Sequence, residues 1–433
     1  MTASQLFSRR DMIRMTATAG AGLTLGANAQ NQGPETLLAY VSSWTSGANG
    51  AGGDGGIHVF EVDRTDGSLK LLSSTAPELN AGYFCISQDG RYLYSTDERR
   101  DYGGKSGAGG GVAAFTLDPT THLLSRLNVE PSVGAFPAYI AVSPTGSEVL
   151  VANHGGYDPV TRVVRDPSGP RIENVYDDAA VALFRAANDG RLSPARDVAV
   201  LDRTHTKDPK NDLPDTGMAL RFRASPHAHS VNFVPGSPFA IACDKGMDRI
   251  YVFRVSDGAL ERVFVYNSPP KSAPRHTAFH PTRPYVFIIN ELEPSLSSLS
   301  IDLATGRLEP ISTVSTLSGD FVKSSRPSPS DVNVHPNGNF VYGATRGSNS
   351  IAIIRVDEKT GNLTLLDCVS SGGNGPRGFR IDPSGTFLFS SNLTSGDIVT
   401  FRINSETGAL TPTGAKISVP RPTCLRFLQS PRR

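Results

Sequence analysis

A phrase of two short strands recurs along the chain and constrains the fold more than any other feature. It reads as an apolar strand, a tight turn and a second apolar strand. It occurs as FCISQDGRYLYSTDE, YIAVSPTGSEVLVANHGG, HSVNFVPGSPFAIACDKG, HTAFHPTRPYVFIINELE, DVNVHPNGNFVYGATRGS and GFRIDPSGTFLFSSNLTS. A second phrase, a strand, a polar turn with glycine and a further strand, follows each, as in RIYVFRVSDGALERV. Four-strand repeats of about 40–50 residues are typical of β-propellers.

The two ends of the repeat array predict how the ring closes. The array opens with LLAYVSS, a second-type strand that lacks a first strand, and finishes with RPTCLRFL, a first strand that lacks a second. Joining them completes a seventh blade and removes two exposed strand edges. We therefore predict an all-β fold, a seven-bladed β-propeller over residues 30–433 that is closed by strands from both termini.

Residues 1–29 have the features of an export signal. Arg9 and Arg10 follow a serine, a weakly apolar run covers 15–25, and Ala-Asn-Ala at 27–29 is a small-x-small cleavage site. The pattern resembles a twin-arginine signal, with Met12 where an aromatic residue is usual, and an ordinary charged N-terminus is the alternative. The run is too short to span a membrane. We expect export by the twin-arginine (Tat) machinery and a periplasmic or secreted mature protein that is not in a membrane.

Charge and cysteine content narrow the class of protein. Lysine plus arginine is 42 against 41 acidic residues, a net charge of +1, which gives no electrostatic basis for binding nucleic acid or an anionic membrane. The four cysteines are widely spaced in apolar runs, so buried free thiols are favoured over disulfides. No zinc-binding pattern is present, and we expect no metal and no cofactor.

Two polar insertions interrupt the third blade, at 153–180 and 201–224. Loops of this length in a compact fold are usually functional or mobile. We expect both to overhang one face of the disc.

The turn residue of each repeat gives a common origin for comparing the blades. These turn residues are Asp89, Pro144, Pro235, Pro281, Pro336 and Pro383. Six residues before them lie Tyr83, Ala138, His229, Arg275, Ser330 and Arg377. Ten residues after them lie Arg99, His154, Lys245, Glu291, Arg346 and Leu393. The first strand of a blade lines the channel and the second runs antiparallel beside it, so both positions should meet at one channel mouth.

This register predicts a charged site at that mouth. The residues expected to converge there are His229, Arg275, Glu291, Arg346 and Arg377, with His154 and, one position earlier, Asn153, Asp244, Asn290 and Asn392 around them. Such charges need mutual pairing or an anionic ligand, because their desolvation is costly. The alternative is a structural salt-bridge ring of Arg275, Glu291 and Arg346 between blades. His227 points the same way as His229 on one strand, and we expect it to support or bind substrate rather than to catalyse.

The motifs PHAHSVNF, APRHTAFHP, INEL, ATRGSNSIAI and GPRGFRIDPSG resemble those of the seven-bladed propeller lactonases. That family includes bacterial 6-phosphogluconolactonase and the fungal carboxymuconate lactonizing enzyme. The resemblance implies an active site of one histidine, two arginines and a glutamate. Matching the motifs carries these to His229, Arg275, Glu291 and Arg346 as catalytic residues. The export signal and the two insertions depart from the family pattern and leave the substrate open.

Lactone hydrolysis needs a base for water, a cation for the oxyanion and an acid for the leaving alkoxide. His229 has a suitable reference pKa for acid–base work, and forked guanidinium donors suit an anionic group and the carbonyl oxygen. Glu291 could orient one of these groups or itself handle the proton. No Gly-x-Ser-x-Gly elbow is present, which argues against an α/β-hydrolase acyl-enzyme.

The predicted function is therefore hydrolysis of a small-molecule lactone, with Arg377, His227, His154, Asn153, Asn290 and Asn392 as substrate-binding residues. A sugar lactone without phosphate, or an aromatic-derived lactone, fits an exported protein better than 6-phosphogluconolactone. The alternatives are a carboxymuconate-type lactonizing cyclase and a non-catalytic propeller that binds a protein or glycan. A calcium site built from Glu291 and neighbouring polar residues (Asn153, Asp244 and Asn392) is disfavoured by the nearby arginines.

Overall fold

The computed structural model of the chain describes residues 36–46, 52–203, 221–323 and 326–430. Within these residues, seven antiparallel sheets of four strands each form the blades of a propeller. The innermost strand of each blade contacts the innermost strands of the next and previous blades, which closes the ring. The predicted all-β, seven-bladed fold is confirmed. The segment 1–29, predicted to be a signal, lies outside the described residues.

We number the blades from the one that contains the first strand and give the strands from the channel outward. Blade 1 consists of β30 (Pro422–Ser430), β1 (Thr36–Ser43), β2 (Gly56–Val62) and β3 (Leu69–Thr75). Blade 2 consists of β4 (Phe84–Ile86), β5 (Tyr92–Asp97), β6 (Gly111–Leu117) and β7 (Leu124–Pro131). Blade 3 consists of β8 (Pro137–Val142), β9 (Glu148–Asn153), β12 (Ala180–Arg185) and β13 (Asp197–Val200).

The remaining blades are uninterrupted repeats. Blade 4 consists of β14 (Ala228–Phe233), β15 (Phe239–Asp244), β16 (Arg249–Ser256) and β17 (Ala259–Asn267). Blade 5 consists of β18 (Pro274–Phe279), β19 (Tyr285–Asn290), β20 (Ser295–Ile301) and β21 (Leu308–Ser315). Blade 6 consists of β22 (Ser328–Val334), β23 (Phe340–Arg346), β24 (Ser350–Val356) and β25 (Leu363–Ser370). Blade 7 consists of β26 (Pro376–Ile381), β27 (Phe387–Asn392), β28 (Asp397–Ile403) and β29 (Leu410–Ser418).

Blade 1 is completed by both ends of the chain, as predicted. Strand β30 pairs antiparallel with β1 from Thr36↔Ser430 to Ser43↔Pro422. Its side chains join the apolar layer between blades 1 and 7, where Leu425 lies with Leu37 of β1 and Phe389 of β27. The closure therefore contributes both backbone hydrogen bonds and buried apolar area.

The burial of each strand follows from its place in the blade. The second strands are buried along their length, as FAIACD in β15 and FLFSSN in β27, because blades cover both of their faces. The outermost strands alternate between exposed and covered residues, as in β29. All four cysteines are buried and free, which confirms that expectation.

The first insertion forms a two-stranded hairpin, β10 (Val160–Asp166) with β11 (Gly169–Val175), which the sequence reading did not anticipate. It is paired with no blade, and it exposes Val163 and Ile172 to solvent. Short 3-10 helices cover Tyr102–Gly104 and Gly319–Lys323. Within the described ranges, no helix is long and apolar enough to cross a membrane.

Candidate active site

A β-bulge at one position of the inner strand pair recurs around the ring. In six blades the ladder between the first and second strands shifts by one residue, and the extra residue stays unpaired. These bulge residues are Ala138, His229, Arg275, Ser330, Arg377 and Thr423. A bulge redirects a side chain out of the regular alternation. In this fold it presents one side chain per blade at the channel mouth.

A second position, directly after the second strand of a blade, is held level with the bulge residue along the channel. In six blades its N–H donates to the carbonyl that lies two residues before the bulge position, at 2.9–3.1 Å. These residues, which we call the exit residues, are Trp44, Glu98, His154, Lys245, Glu291 and Leu393. Arg346 ends β23 at the equivalent point of blade 6. The entry of the first strand and the exit of the second therefore meet at one mouth, as the repeat register predicts.

The predicted register is wrong by one residue in blade 2. Pairing of Ile86 with Leu93 in β4 and β5 places Glu98, rather than Arg99, at the exit position. Gly82, rather than Tyr83, then occupies the bulge position. A Cβ at Gly82 would lie 2.0 Å from Glu98 Oε2, so the glycine makes room for this carboxylate. The residue of blade 2 that is equivalent to the turn prolines is Gln88, one position before Asp89.

A cavity of about 510 Å³ occupies this mouth. We call it the site cavity, and its charged and imidazole lining comprises Glu98, Arg100, His154, Asp158, Arg221, His229, Lys245, Arg275, Glu291, Arg346 and Arg377. Trp44, Phe136, Tyr157 and Phe222 add aromatic surface. Tyr157 and Phe222 belong to the two insertions and stack with ring centroids 5.2 Å apart, so both insertions reach this face of the disc.

The Glu291 carboxylate binds three cations from three successive blades. Lys245 Nζ lies 2.9 Å from Oε2, Arg275 Nη1 lies 2.8 Å from Oε1, and Arg346 Nη2 also donates to Oε1. Ser328 Oγ donates to Oε1 at 3.2 Å. Burial opposes the charge on Glu291, but Arg275 and Lys245 outweigh it and hold the pKa of this carboxyl well below its ordinary value. Three cations around one carboxylate leave this part of the wall positive.

Arg275 keeps two donors free beside that carboxylate. The residue is 1% exposed, yet its Nε and Nη2 have no hydrogen-bond partner in the described part of the chain. Nε and Nη2 lie on one edge of the guanidinium and match the two oxygens of an oxyanion. Unpaired buried donors are costly, so this edge is suited to a ligand oxygen.

A second carboxylate organises the other side of the cavity. Glu98 Oε2 accepts from Trp44 Nε1 at 2.9 Å and lies 3.5 Å from Arg377 Nη2. The Arg377 guanidinium lies 3.9 Å from the centre of the Trp44 ring. This places a flat, partly aromatic surface across from the cations around Glu291.

His229 lines the site cavity together with Arg275. Burial lowers the pKa of His229 well below its ordinary value, and the charges of Arg275 and Lys245 add to that shift. The ring is therefore neutral near pH 7. No hydrogen bond to its Nε2 is formed by any residue that the structure describes, so this nitrogen is available to a ligand in the cavity.

The match to known proteins is extensive. The family model of the 7-bladed β-propeller lactonases matches residues 38–427. The chain belongs to the seven-bladed lactonase family. Among its relatives, 6-phosphogluconolactonase of Bacillus subtilis is 30% identical over 392 residues, which covers 90% of this chain and 98% of that protein. A 6-phosphogluconolactonase of Formosa agariphila is 29% identical over 334 residues, 76% of this chain and 81% of that protein.

Solved structures agree with this family assignment. The crystal structure of a proposed 6-phosphogluconolactonase from Bacteroides uniformis superimposes with a TM-score of 0.74 at 28% identity, covering 91% of this chain and 99% of that chain. The chain is therefore a lactonase-family enzyme, which disfavours the alternative of a non-catalytic binding propeller.

The lactonase brings together most of the predicted site residues. His229, Arg275, Glu291, Arg346, Arg377 and His154 all line the site cavity. Their convergence from blades 3 to 7 follows the register. The residues one position earlier have a different role, because they end their strands and their side-chain amides bond the protein itself. Asn290 and Asn392 donate to Ser295 Oγ and Asp397 Oδ1 across the following turn. Asn153 donates to Ser132 O in the connection between β7 and β8. They do not reach the cavity wall.

His227 lies behind the cavity rather than in its wall. Its Nδ1 contacts the carbonyl oxygen of His154 at 3.0 Å, and its ring stacks on the ring of His154 with centroids 4.5 Å apart. Burial lowers the pKa of His227 to about 3, so the ring is neutral. The structure thus places His227 as a support for His154, outside the lining of the site cavity, and its predicted contact with substrate stays a prediction.

Several wall residues of the lactonase were not among the predicted site residues. Lys245 occupies the same exit position as Glu291, so the register already contained the signal for it. Trp44 and Glu98 share that position in blades 1 and 2 and were missed because blade 1 had no turn origin and blade 2 was misregistered. Tyr157 and Phe222 carried no such signal, because insertions lie outside the repeat.

The calcium alternative finds no grouped ligands. Within the described ranges, no three His, Cys, Asp or Glu side chains lie together as a metal-binding group. Asp244 Oδ1 accepts the backbone N–H groups of His227, Gly246 and Met247, and Glu291 faces three cations. A divalent cation would be repelled at this wall.

Proposed function

We propose that this lactonase hydrolyses a small sugar lactone that carries an anionic group, by direct attack of water. The observation that carries the proposal is the free edge of Arg275 beside a neutral histidine. A buried guanidinium edge without a partner is a preorganised site for a developing oxyanion. The names of the relatives point to sugar lactones, and a cavity of about 510 Å³ has room for one sugar ring and a short substituent.

The chemistry can be assigned to the chain's own residues. His229 Nε2 takes a proton from water, and the water oxygen forms a bond to the lactone carbonyl carbon. The carbonyl oxygen becomes an oxyanion against Nε and Nη2 of Arg275. The ring C–O bond then breaks, and the ring oxygen takes the proton that His229 accepted, which gives a hydroxy carboxylic acid.

Arg346 is assigned to the anionic group of the substrate. The Arg346 side chain is 25% exposed and the Arg275 side chain is 2% exposed, so Arg346 lies nearer the opening. Lys245 has a different role. Burial lowers its pKa while the Glu291 carboxylate opposes that shift, and its ammonium group, 2.9 Å from Glu291 Oε2, holds that carboxylate in the cavity wall.

A panel of lactones tests this proposal on the purified enzyme. We expect turnover of anionic sugar lactones, with a phosphate and with a carboxylate compared, above neutral gluconolactone and a muconolactone. Arg275→Met should lower kcat on every substrate, whereas Arg346→Met should lower kcat/KM mainly for the anionic ones. Turnover of neutral lactones as fast as anionic ones, unaffected by Arg275→Met, would contradict the proposal. Net formation of lactone from an open acid would favour the cyclase alternative.

We also propose that residues 1–29 direct export by the twin-arginine route. The support is the pair Arg9 and Arg10, the weakly apolar run and the small-x-small site at 27–29. Replacing both arginines by lysine should retain the protein inside the cell while leaving its activity in lysates unchanged. Cleaved protein outside the cytoplasm in that double variant would exclude this route.

A further inference from the structure

A chain of three buried side chains leads away from His229 through the channel. His229 Nδ1 lies 3.2 Å from His276 Nε2, and His276 Nδ1 lies 2.9 Å from Asp331 Oδ1. The residues come from the inner strands of blades 4, 5 and 6, and each is at most 6% exposed. His276 and Asp331 are not part of the predicted site, and they are not among the residues that line the site cavity. We call the three residues the His–His–Asp chain.

The acceptor end of this chain is defined by its hydrogen bonds. Asp331 Oδ1 also accepts from the N–H of Val332 at 3.0 Å, and Oδ2 accepts from the N–H of Phe379 at 3.2 Å. Burial opposes ionisation of Asp331, but the hydrogen bond from His276 outweighs it and lowers the pKa of the carboxyl. An ionised carboxylate can only accept, so His276 must carry its proton on Nδ1.

The ionised carboxylate of Asp331 fixes the position of every proton in the His–His–Asp chain. Burial lowers the pKa of His276 to about 4, so the ring is neutral and its Nε2 is an acceptor. His229 Nδ1 must then carry a proton and donate it to His276 Nε2. A neutral imidazole protonated on Nδ1 presents a lone pair on Nε2, the nitrogen that is free toward the site cavity.

We propose that His276 and Asp331 are positioning residues that hold His229 as the Nδ1–H tautomer, with Nε2 directed at the attacking water. This rests on the proposed function, in which His229 is the base. When Nε2 takes the proton of water, the positive charge on His229 is shared through the Nδ1–H bond with His276 and is balanced by Asp331. A carboxylate that orients a catalytic imidazole does the same in hydrolase triads, here with one more imidazole between them.

The surroundings explain why His229 needs a distant carboxylate. The charged groups that face it, Arg275 and Lys245, disfavour a positive imidazolium, and His154 adds to that effect. Glu291 is already bound to three cations. Tyr83 and Tyr139 stack on each other with ring centroids 3.8 Å apart. The ring of His276 packs edge-on against this pair, at centroid distances of 5.8 and 5.1 Å, which restricts its orientation.

At the Asp331 end of the His–His–Asp chain, arginines balance the charge of the carboxylate. Asp331 lines a second cavity of about 630 Å³ at the other end of the channel, together with Arg380 and Arg426. Arg426 contributes to the lowered pKa of Asp331, and Arg377 and Arg275 oppose a charge on His276. The carboxylate therefore stays ionised while the two rings stay neutral.

The first experiment separates chemistry from packing. His276→Phe keeps an aromatic ring against Tyr83 and Tyr139 but removes both hydrogen bonds. We expect kcat to fall about 10²–10⁴-fold while KM changes less than about twofold. The matched control is His335→Phe, the same change at a buried histidine in a turn of blade 6 that bonds Gly385 O, which should leave kcat unchanged. A His276→Phe enzyme with kcat within about threefold of wild type would overturn the inference.

The second experiment needs no substrate and therefore stands apart from the proposed function. In protein labelled with ¹⁵N-histidine, NMR reports which ring nitrogen carries the proton, and His229→Gln and His276→Phe assign the two signals. We expect both rings to be protonated on Nδ1 at pH 7. A proton on Nε2 of His229 would overturn the inference even if the enzyme is active. If both rings carry their protons on Nδ1 but the protein hydrolyses no lactone, the proposed function is contradicted and the inference about the tautomers is not.

Discussion

At the scale of single residues, Glu291 decides how the cluster of charges is to be understood. Its contacts with Lys245, Arg275 and Arg346 link blades 4, 5 and 6, so the structural ion-pair alternative describes real contacts. Those contacts leave the Nε and Nη2 donors of Arg275 without a partner, however. One carboxylate also cannot balance the charge of three cations. A purely structural ion-pair cluster explains neither the unpaired donors nor the excess positive charge. An anionic ligand accounts for both.

Arg346→Met separates the two roles of this cluster. Glu291 keeps Lys245 and Arg275 in the variant, so we expect a melting temperature near that of wild type. The loss should appear in kcat/KM for an anionic lactone, at about 2–4 kcal/mol, the scale for a positioned donor to a charged group. Arg346→Lys should rescue only part, because an ammonium lacks the fork. The control Arg307→Met removes an exposed ion pair with Glu309 and should change neither quantity. Full turnover by a folded Arg346→Met enzyme would show that Arg346 has only a structural role.

The pH dependence follows from the environment of His229. The neutral ring is the active form, so activity is lost as pH falls through its pKa. Burial, Arg275 and Lys245 hold that pKa well below the ordinary value of 6.5, so kcat/KM should stay level through pH 6.5 and fall only at lower pH. The measurement is kcat/KM against pH, with the melting temperature followed over the same range to exclude unfolding. An acid limb centred above 6.5 would show that another group is the base.

At the scale of elements, the inner strand pairs and the hairpin differ in how they relate to the repeat. Six of the seven inner pairs carry the same bulge, which is why unlike residues such as His229, Arg275 and Arg377 reach one mouth. The hairpin β10–β11 is paired with no blade, although the chain on both sides of it contributes Tyr157 and the Asp177 that binds Arg100. The two ends of the insertion thus contribute to the cavity wall or support it, and the hairpin between them lies outside that wall.

Deleting the hairpin tests that division. Val160 pairs with Val175, so residues 160–175 can be replaced by Gly-Gly without moving the flanking chain. We expect the melting temperature to stay within about 2 °C of wild type, because few core contacts are lost. The chemistry step should be unchanged, since Tyr157 and Asp177 remain. A large drop in melting temperature would mean that the hairpin stabilises blade 3.

At the scale of the whole molecule, the disc depends on closure by β30. This strand pairs with β1, buries Leu425 between blades 1 and 7, and buries Cys424 on its other face against Phe84 of blade 2. It also carries Thr423, whose hydroxyl contacts Ser42 Oγ at 2.8 Å and Ala81 O at 2.9 Å. One strand therefore joins blade 1 to blade 2 as well as to blade 7.

Truncation after Ser418 should abolish soluble folding. The deletion exposes the edge of β1 and removes buried apolar area worth about 25 cal/mol per Å². Soluble yield and thermal melting are the measurements. The hairpin deletion, similar in length but outside the ring, is the matched control and should remain soluble. A truncated protein with an unchanged melting temperature would be incompatible with closure by both termini.

The repeat, the number of blades, the closure and most residues of the channel mouth can be predicted from the sequence, because strand alternation and a nearly constant turn spacing recur from blade to blade. That spacing placed His229, Arg275, Glu291 and Arg346 at one mouth without any alignment. The tertiary structure alone decided which donors stay free, where Tyr157 and Phe222 stand, and that His276 and Asp331 lie behind His229. These depend on distances between blades that are far apart in the chain, and a pattern along one strand carries no information about the gap to the next blade.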